Sequence, residues 1–189
     1  MNRILVLLGL MIVSWNLSAQ ENQMRKVPKQ MSFEAGYRYI TGTEFPNSAT
    51  HGYTVLFDYG WQLSGLNGTR SGYITVPLGI TQMYPDSDSS SAVRIISYGW
   101  TTRHELKPKS KGWVPYVGYA LMLNNYSEKG TEGRIFGHQT RFSLGLNHYN
   151  SSRFDPYVQV DYSMTNYPEW GKKGSRKHNF LELKFGVRI

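Results

Sequence analysis

Residues 178–189 read HNFLELKFGVRI, and apolar and polar side chains alternate along this segment. Alternation with period two is typical of a β-strand whose two faces meet different surroundings. Placing Lys184 in lipid near the middle of a bilayer would cost roughly 2–4 kcal/mol, so its face should line a polar interior. The segment therefore predicts the closing strand of a transmembrane β-barrel. Its lipid face carries Leu181, Leu183, Phe185, Val187 and Ile189, and its inner face carries Glu182, Lys184, Gly186 and Arg188.

Seven further segments of about ten residues show the same alternation, and each is followed by turn-forming Gly, Pro, Asn, Asp, Ser or Lys. A total of eight is even, as a single-chain bacterial barrel requires if both termini lie on the same side. We therefore predict an all-β fold, an eight-stranded antiparallel up-and-down transmembrane barrel, over residues 32–189.

The N-terminal segment lacks this alternation and has the pattern of a targeting sequence. Arg3 precedes an apolar stretch that ends near Trp15, and small residues follow up to Ala19, the pattern of a secretory signal peptide. We expect residues 1–19 to be removed and residues 20–31 to form a flexible periplasmic leader. The sequence has no Cys, which excludes disulfides, thiolate nucleophiles and cysteine metal sites.

The connections between the predicted strands indicate an orientation. One set of connections is somewhat longer than the other, and external loops are usually longer than periplasmic turns. The longer set is 42–52, 84–91, 125–134 and 166–177, and the shorter set is 64–71, 107–112 and 150–156. Aromatic residues gather near the strand ends, where interfacial belts form. We expect Trp61, Tyr73, Trp113, Tyr149 and Phe154 in the periplasmic belt and Tyr53, Tyr84, Tyr126, Tyr167 and Trp170 in the external belt.

The inward face predicts a filled interior rather than a wide pore. An eight-stranded barrel has room only for its own side chains, and charges confined there persist only when they are paired. A salt-bridge and hydrogen-bond network is therefore expected, with a proton or ion path along it as the alternative. The predicted lumen charges are Glu34, Arg38, Asp58, Arg103, Glu105, Arg141, Asp161, Glu182, Lys184 and Arg188.

One short motif invites a catalytic interpretation. Small outer-membrane lipid A deacylases carry His-x-Ser-Asn on the barrel wall, and this chain has His148-Tyr149-Asn150-Ser151. The order of Ser and Asn is reversed, and the position is at the periplasmic end. We therefore expect a polar transition from strand to turn, with His148 and Ser151 as the alternative catalytic pair. His138, Ser127 and Glu128 are a second group that an enzyme could use.

Metals, cofactors and nucleic acids are not expected as partners. The His residues have no spacing that fits a metal site, and Asp86 and Asp88 lie in a Ser-rich loop that lacks the Gly and Glu of an EF-hand. The net charge of +8 comes without a nucleic-acid-binding motif, so anionic lipid and lipopolysaccharide are the expected counterions, with simple solvation of the loops as the alternative. An anionic lipid or an acidic partner could contact Trp170, Lys172, Lys173, Arg176 and Lys177.

From Phe33 to Ile189 the chain resembles the small outer-membrane β-barrels, a group that includes the OmpA transmembrane domain, the OmpX and OmpW types and the Bacteroidetes "porin family". The resemblance implies the outer membrane of a Gram-negative envelope and insertion by the barrel assembly machinery. The usual terminal Phe is replaced by Ile189, with Phe185 the nearest aromatic residue on that face. Insertion would then depend on a more permissive assembly signal.

Three functions remain open at this point. The first is a non-enzymatic barrel with a structural or adhesive role, or a subunit of an envelope complex. The second is an enzyme that modifies outer-membrane lipid, of the lipid A deacylase or acyltransferase type. The third is a secreted carrier of lipocalin type, which would need an apolar inside.

Overall fold

The described part of the chain consists of eight β-strands and their short flanks. The computed structural model describes residues 29–43, 50–64, 70–84, 92–106, 111–128, 135–149, 154–168 and 176–189. The predicted signal peptide and residues 20–28 lie outside this set, whereas residues 29–31, predicted as leader, belong to the first strand. The strands are β1 (Lys29–Thr43), β2 (His51–Ser64), β3 (Arg70–Tyr84), β4 (Val93–Glu105), β5 (Gly112–Glu128), β6 (Ile135–Tyr149), β7 (Asp155–Tyr167) and β8 (Arg176–Arg188).

The strands form a closed barrel. Each pairs antiparallel with the next, and β8 pairs with β1, which confirms the predicted up-and-down topology. Following paired residues once around the wall from Tyr53 returns to Leu63 of the same strand, 63 − 53 = 10 residues further on. A stagger of this kind requires strands tilted by roughly 35–45°, and eight of them enclose only enough space for side chains.

The two ends of the barrel differ in the connections that they carry. The start of β1 and the end of β8 lie at the same end as the strand ends that flank 65–69, 106–111 and 150–154, and we call it the periplasmic end in keeping with the predicted orientation. The connections at 44–50, 85–92, 129–134 and 168–175 lie at the other, which we call the external end. Within the described residues there is no helix long and apolar enough to cross a membrane.

The middle of the outer wall is an apolar surface. On β3 it presents Val76, Leu78 and Ile80, and on β8 it presents Leu183 and Phe185, all of them exposed. Water would disfavour an apolar surface that surrounds a whole protein, whereas the hydrocarbon of a bilayer suits it. The alternation read from the sequence therefore separates the two faces as predicted: Leu183 is 44% exposed and its neighbour Lys184 is fully buried.

Small residues on the inner face make room for large side chains from other strands. A Cβ atom added at Gly145 would overlap the ring of Tyr116, and one added at Gly186 would overlap the ring of Tyr157. Tyr116 and Tyr157 are both buried. The two glycines are thus the space into which these tyrosines extend.

Gly145→Ala is expected to lower the free energy of unfolding by about 1–3 kcal/mol, because the Tyr116 ring must leave its position in a filled interior. Urea unfolding in detergent micelles measures the change. Gly42→Ala is the matched control, since a Cβ there would lie 3.4 Å from the nearest atom, an ordinary contact. Equal stability of the two variants would contradict the close packing of Tyr116 on Gly145.

Candidate functional site

All ten predicted lumen charges lie inside the barrel. Their side chains are buried, and they come from six of the eight strands, with β3 and β5 supplying none. The set holds five acidic and five basic residues, so its formal charges cancel. The members are Glu34, Arg38, Asp58, Arg103, Glu105, Arg141, Asp161, Glu182, Lys184 and Arg188.

Lys184 is the centre of this network. Its Nζ atom lies 3.0 Å from Asp161 Oδ2, 3.3 Å from Glu34 Oε2 and 3.5 Å from Glu182 Oε2. These carboxylates belong to β7, β1 and β8, so a single ammonium group joins three neighbouring strands. A lysine this deeply buried is stable as a cation only because several carboxylates replace its hydration.

Three arginines complete the pairing around Lys184. Arg38 Nη2 donates to Glu182 Oε2 at 3.0 Å, and Arg141 Nε lies 3.7 Å from Asp161 Oδ2. Arg103 pairs with Glu34, and its Nη2 lies 3.5 Å from Asp58 Oδ2. Arg103 also lies over the ring of Tyr157, 4.8 Å from its centroid. The middle of the lumen is therefore filled by paired charges.

A second layer fills the periplasmic end. The hydroxyl groups of Tyr73 and Tyr149 are 2.5 Å apart, and Tyr149 also donates to Glu105. Arg188 Nη1 donates to the Tyr149 hydroxyl at 2.9 Å and Nη2 donates to Asn147 Oδ1 at 3.1 Å. The Arg188 guanidinium lies 3.9 Å from the centroid of the Tyr73 ring. The penultimate residue of the chain is thus held by side chains from β3 and β6.

At the external end the inside of the barrel is apolar and the wall is polar, the reverse of the arrangement in the middle of the barrel. Met83, Ile95 and Phe180 are buried inside it, and Val93, Tyr126 and Tyr167 complete one apolar cluster. The wall at the same level turns polar residues outward, among them Arg94 and Lys177. The cavity left in this apolar layer is about the size of one water molecule. In the described part of the chain, side chains therefore fill the lumen at both ends and in the middle.

The predictions for four residues of the interfacial belts are wrong. Tyr73, Tyr149, Tyr126 and Tyr167 are buried inside the barrel rather than exposed at its surface. The physical reason is the period of two, which holds to the ends of the strands: Tyr149 follows Asn147 on the inner face, as Tyr167 follows Thr165. If the alternation is extended to the last residues of each strand, it predicts that these tyrosines face the interior. Trp61, Trp113, Phe154, Tyr53 and Tyr84 are exposed as predicted, and Trp170 lies outside the described residues.

Of the candidate catalytic residues, His138 and Ser127 do not come together, and the pair His148 and Ser151 is only partly described. His148 lies on the wall at the periplasmic end, where its ring packs on Trp113 with centroids 4.7 Å apart, and Ser151 lies outside the described residues. His138 pairs in register with Leu123 on β5, four positions from Ser127, which is roughly 13 Å along a strand. That distance is too long for a His to take the proton of a Ser hydroxyl.

The other candidate residues are only partly described. Trp170, Lys172, Lys173, Asp86 and Asp88 lie outside the described residues. Arg176 begins β8, and the side chain of Lys177 beside it is exposed. Among the described side chains, no cluster of three His, Asp or Glu residues could hold a metal ion.

Comparison with known proteins gives a fold rather than a family. No protein-family model matches the chain, and no curated protein is similar to it in sequence. The crystal structure of Neisserial surface protein A (NspA) matches with a TM-score of 0.63 and 15% identity, over 85% of this chain and 96% of that one. This likeness confirms the predicted resemblance at the level of the fold, which is that of small eight-stranded outer-membrane barrels.

Two further structures of this kind match less well. OprG, an outer membrane protein of Pseudomonas aeruginosa, has a TM-score of 0.48 and 8% identity, over 86% of this chain and 97% of that one. Ail, the attachment invasion locus protein of Yersinia pestis, has a TM-score of 0.46 and 10% identity, over 87% of this chain and 100% of that one.

Proposed function

We propose that this chain is an integral protein of the cell outer membrane whose lumen is closed, and that it acts through its external loops and its wall. Its role is structural or adhesive, or that of a subunit in an envelope complex. One observation carries the proposal: an apolar outer wall surrounds an interior in which Lys184 and its partners are paired and buried. Such a barrel would stabilise the envelope and present its surfaces to partners, and it would not pass solutes.

The membrane setting follows from the physics of the wall. Exposed Val76, Leu78 and Phe185 suit hydrocarbon, and a closed barrel leaves no strand edge without hydrogen-bond partners. Outer-membrane lipid and lipopolysaccharide are then the immediate surroundings, and the barrel assembly machinery is the partner during insertion. In lipopolysaccharide, the phosphates are the groups that Lys172 and Lys173 of the last external connection would contact.

The other two functions have weaker support. A lipocalin-type carrier needs an open apolar calyx, and here the apolar layer at the external end is packed around Met83, Ile95 and Phe180. A lipid-modifying enzyme needs a His near its nucleophile, and His138 lies four register positions from Ser127. Mass spectrometry of lipid A from cells with and without the gene tests the enzyme, and solubility without detergent tests the carrier.

The purified barrel is expected to produce no discrete channel openings in planar lipid bilayers, because Arg188, Tyr149 and Tyr73 fill its periplasmic end and charged pairs fill its middle. Slower migration of the boiled than of the unboiled protein in detergent gels would establish that the sample is a folded barrel. Regular single-channel steps from folded protein would contradict a closed lumen. Protein that remains dispersed without detergent would contradict the membrane setting itself.

A further inference from the structure

The hydrogen-bond ladder between β3 and β4 is interrupted in the middle of the wall. Pro77 and Gly99 lie opposite each other but are not joined, and the neighbouring pair of Val76 and Trp100 is not joined either. Pro77 is the middle residue of β3, and Gly99 is the middle residue of β4. The other seven ladders run unbroken through the middle of the wall. We call these four residues the β3–β4 seam.

The proline accounts for the interruption. Its nitrogen carries no hydrogen, so Pro77 has no donor to offer to a ladder. On the other side of β3, the pairing with β2 continues through Pro77, which lies opposite Asp58, so the missing donor faces β4. The carbonyl group of Gly99 therefore has no N–H opposite it in the ladder. In hydrocarbon no water replaces such a donor, so the wall is weakest here.

The other prolines of the described strands lie near strand ends. Pro115 is the fourth residue of β5, and its carbonyl accepts a bond of 2.9 Å from the backbone N–H of Leu106, where the ladder between β4 and β5 ends. Pro156 is the second residue of β7. Water is close to both positions. Pro77 is thus the proline of the described wall that lies at the level where a missing donor is most costly.

The inner side of the seam is apolar. Leu56 of β2 and Ala120 and Met122 of β5, the strands that flank β3 and β4, form one buried apolar cluster. A Cβ atom added at Gly79 of β3 would lie 3.3 Å from Leu56 Cδ1, so Leu56 lies against the inner face of β3. The carboxylates around Lys184 belong to β1, β7 and β8. At mid-height the interior therefore has an apolar side behind the seam and a charged side opposite.

The outer side of the seam is apolar as well. Val76 and Leu78 of β3 and Trp100 of β4 are exposed on the wall. Separating β3 from β4 at this level would break no ion pair, because neither Pro77 nor Gly99 has a charged side chain. Separating β7 from β8 would instead part Asp161 from Lys184, whose charged atoms are 3.0 Å apart. Local opening is therefore least costly at the seam.

We infer that the wall opens transiently at the β3–β4 seam and admits hydrocarbon chains of the surrounding lipid to the apolar side of the interior. This inference rests on the proposed membrane setting, and adds a lateral opening to a lumen that is closed to solutes. Opening is a local event that breaks few hydrogen bonds. It creates no path for water or ions, because the paired charges and the layer around Arg188 stay in place.

Carbene labelling from within the bilayer tests the opening. Phosphatidylcholine with a diazirine on its acyl chain labels side chains that meet hydrocarbon, and mass spectrometry of peptides locates the label. Leu78 reports on the outer face of the wall, and Met122 reports on the apolar side of the interior. Labelling of Met122 is expected at up to about 10% of that of Leu78, as for a minor conformation. Lys184, on the charged side, should stay unlabelled.

Pro77→Ala restores an N–H group opposite Gly99. It should lower the labelling of Met122 by about fivefold, the factor that one further hydrogen bond supplies, and leave that of Leu78 unchanged. Pro115→Ala is the matched control, because it makes the same substitution at the end of a ladder, and it should leave both labels unchanged. The inference is overturned if Met122 is labelled no more than Lys184, or if Pro77→Ala leaves the labelling of Met122 as it was.

Hydrogen exchange of the unmodified protein supplies a second measurement, which does not depend on the folding of a variant. After correction for intrinsic rates, the amides of Gly99 and Thr101 beside the seam should exchange faster than those of Tyr119 and Phe142. These two residues pair with each other in the unbroken ladder between β5 and β6. Equal exchange at the two places would overturn the inference.

The two labelled positions distinguish failure of this inference from failure of the proposed function. If Leu78 is not labelled, the outer wall is not in hydrocarbon and the proposed membrane setting is wrong. If Leu78 is labelled and Met122 is not, the barrel spans the bilayer and only the lateral opening is wrong.

Discussion

Lys184→Met is expected to lower the free energy of unfolding by about 3–5 kcal/mol. The methionine fills similar space, but it leaves Asp161, Glu34 and Glu182 without the ammonium group that lies 3.0–3.5 Å from each of them. The three carboxylates would then remain close together in a buried interior. Removing one partner of an ion pair lowers stability most where the remaining charge is buried. Urea unfolding of the reconstituted barrel measures the loss of stability, with the gel mobility of unboiled samples as the readout of the folded fraction.

Lys177→Met is the matched control on the same strand. Its side chain is exposed at the external end, so its removal should change stability by less than about 0.5 kcal/mol. If both variants unfold at the same urea concentration, the buried network around Lys184 does not exist in the folded protein. The difference between them reports on burial, because both substitutions remove the same charge from β8.

Leu183→Arg is expected to destabilise the barrel in lipid by roughly 2–4 kcal/mol. Leu183 is the residue before Lys184 and lies on the opposite face, exposed on the wall, so the guanidinium would lie in hydrocarbon. Unfolding in phospholipid vesicles measures the cost.

Asn179→Arg, on the same face but nearer the external end of β8, supplies the comparison. There the cost should be about 0–1 kcal/mol, because a charge near the interface can reach water. Equal stability of the Leu183→Arg and Asn179→Arg variants would mean that this face of β8 is not in lipid.

The two predictions on β8 share one consequence for function. The charged side chains of the lumen that could bind a ligand are paired with one another. Arg38 Nη2, for example, lies 3.0 Å from Glu182 Oε2. The residues that remain available to partners are then those of the wall and of the two ends. Partners of this barrel are therefore expected at its surfaces and not in a channel.

The alternation of side chains by itself determined the fold class and the face on which most residues lie. Successive side chains of a strand point to opposite faces, so Leu183 and Lys184 could be assigned from local sequence alone. Strand number followed from counting such segments, and closure followed from the cost of leaving a strand edge in lipid. Tyr149 and Tyr167 were misplaced only because the alternation was not followed to the strand ends.

Only the tertiary structure decided which interior groups meet. Arg38 and Glu182 are 144 residues apart, and Arg103 and Glu34 are 69 apart, so no local pattern relates them. Arg38 and Glu182 meet because the closing pair β1 and β8 places them opposite each other in register. Arg103 on β4 and Glu34 on β1 meet across the lumen, because the closed wall brings non-neighbouring strands close together. The same geometry keeps His138 away from Ser127 and gathers Met83, Ile95 and Phe180 into one apolar layer.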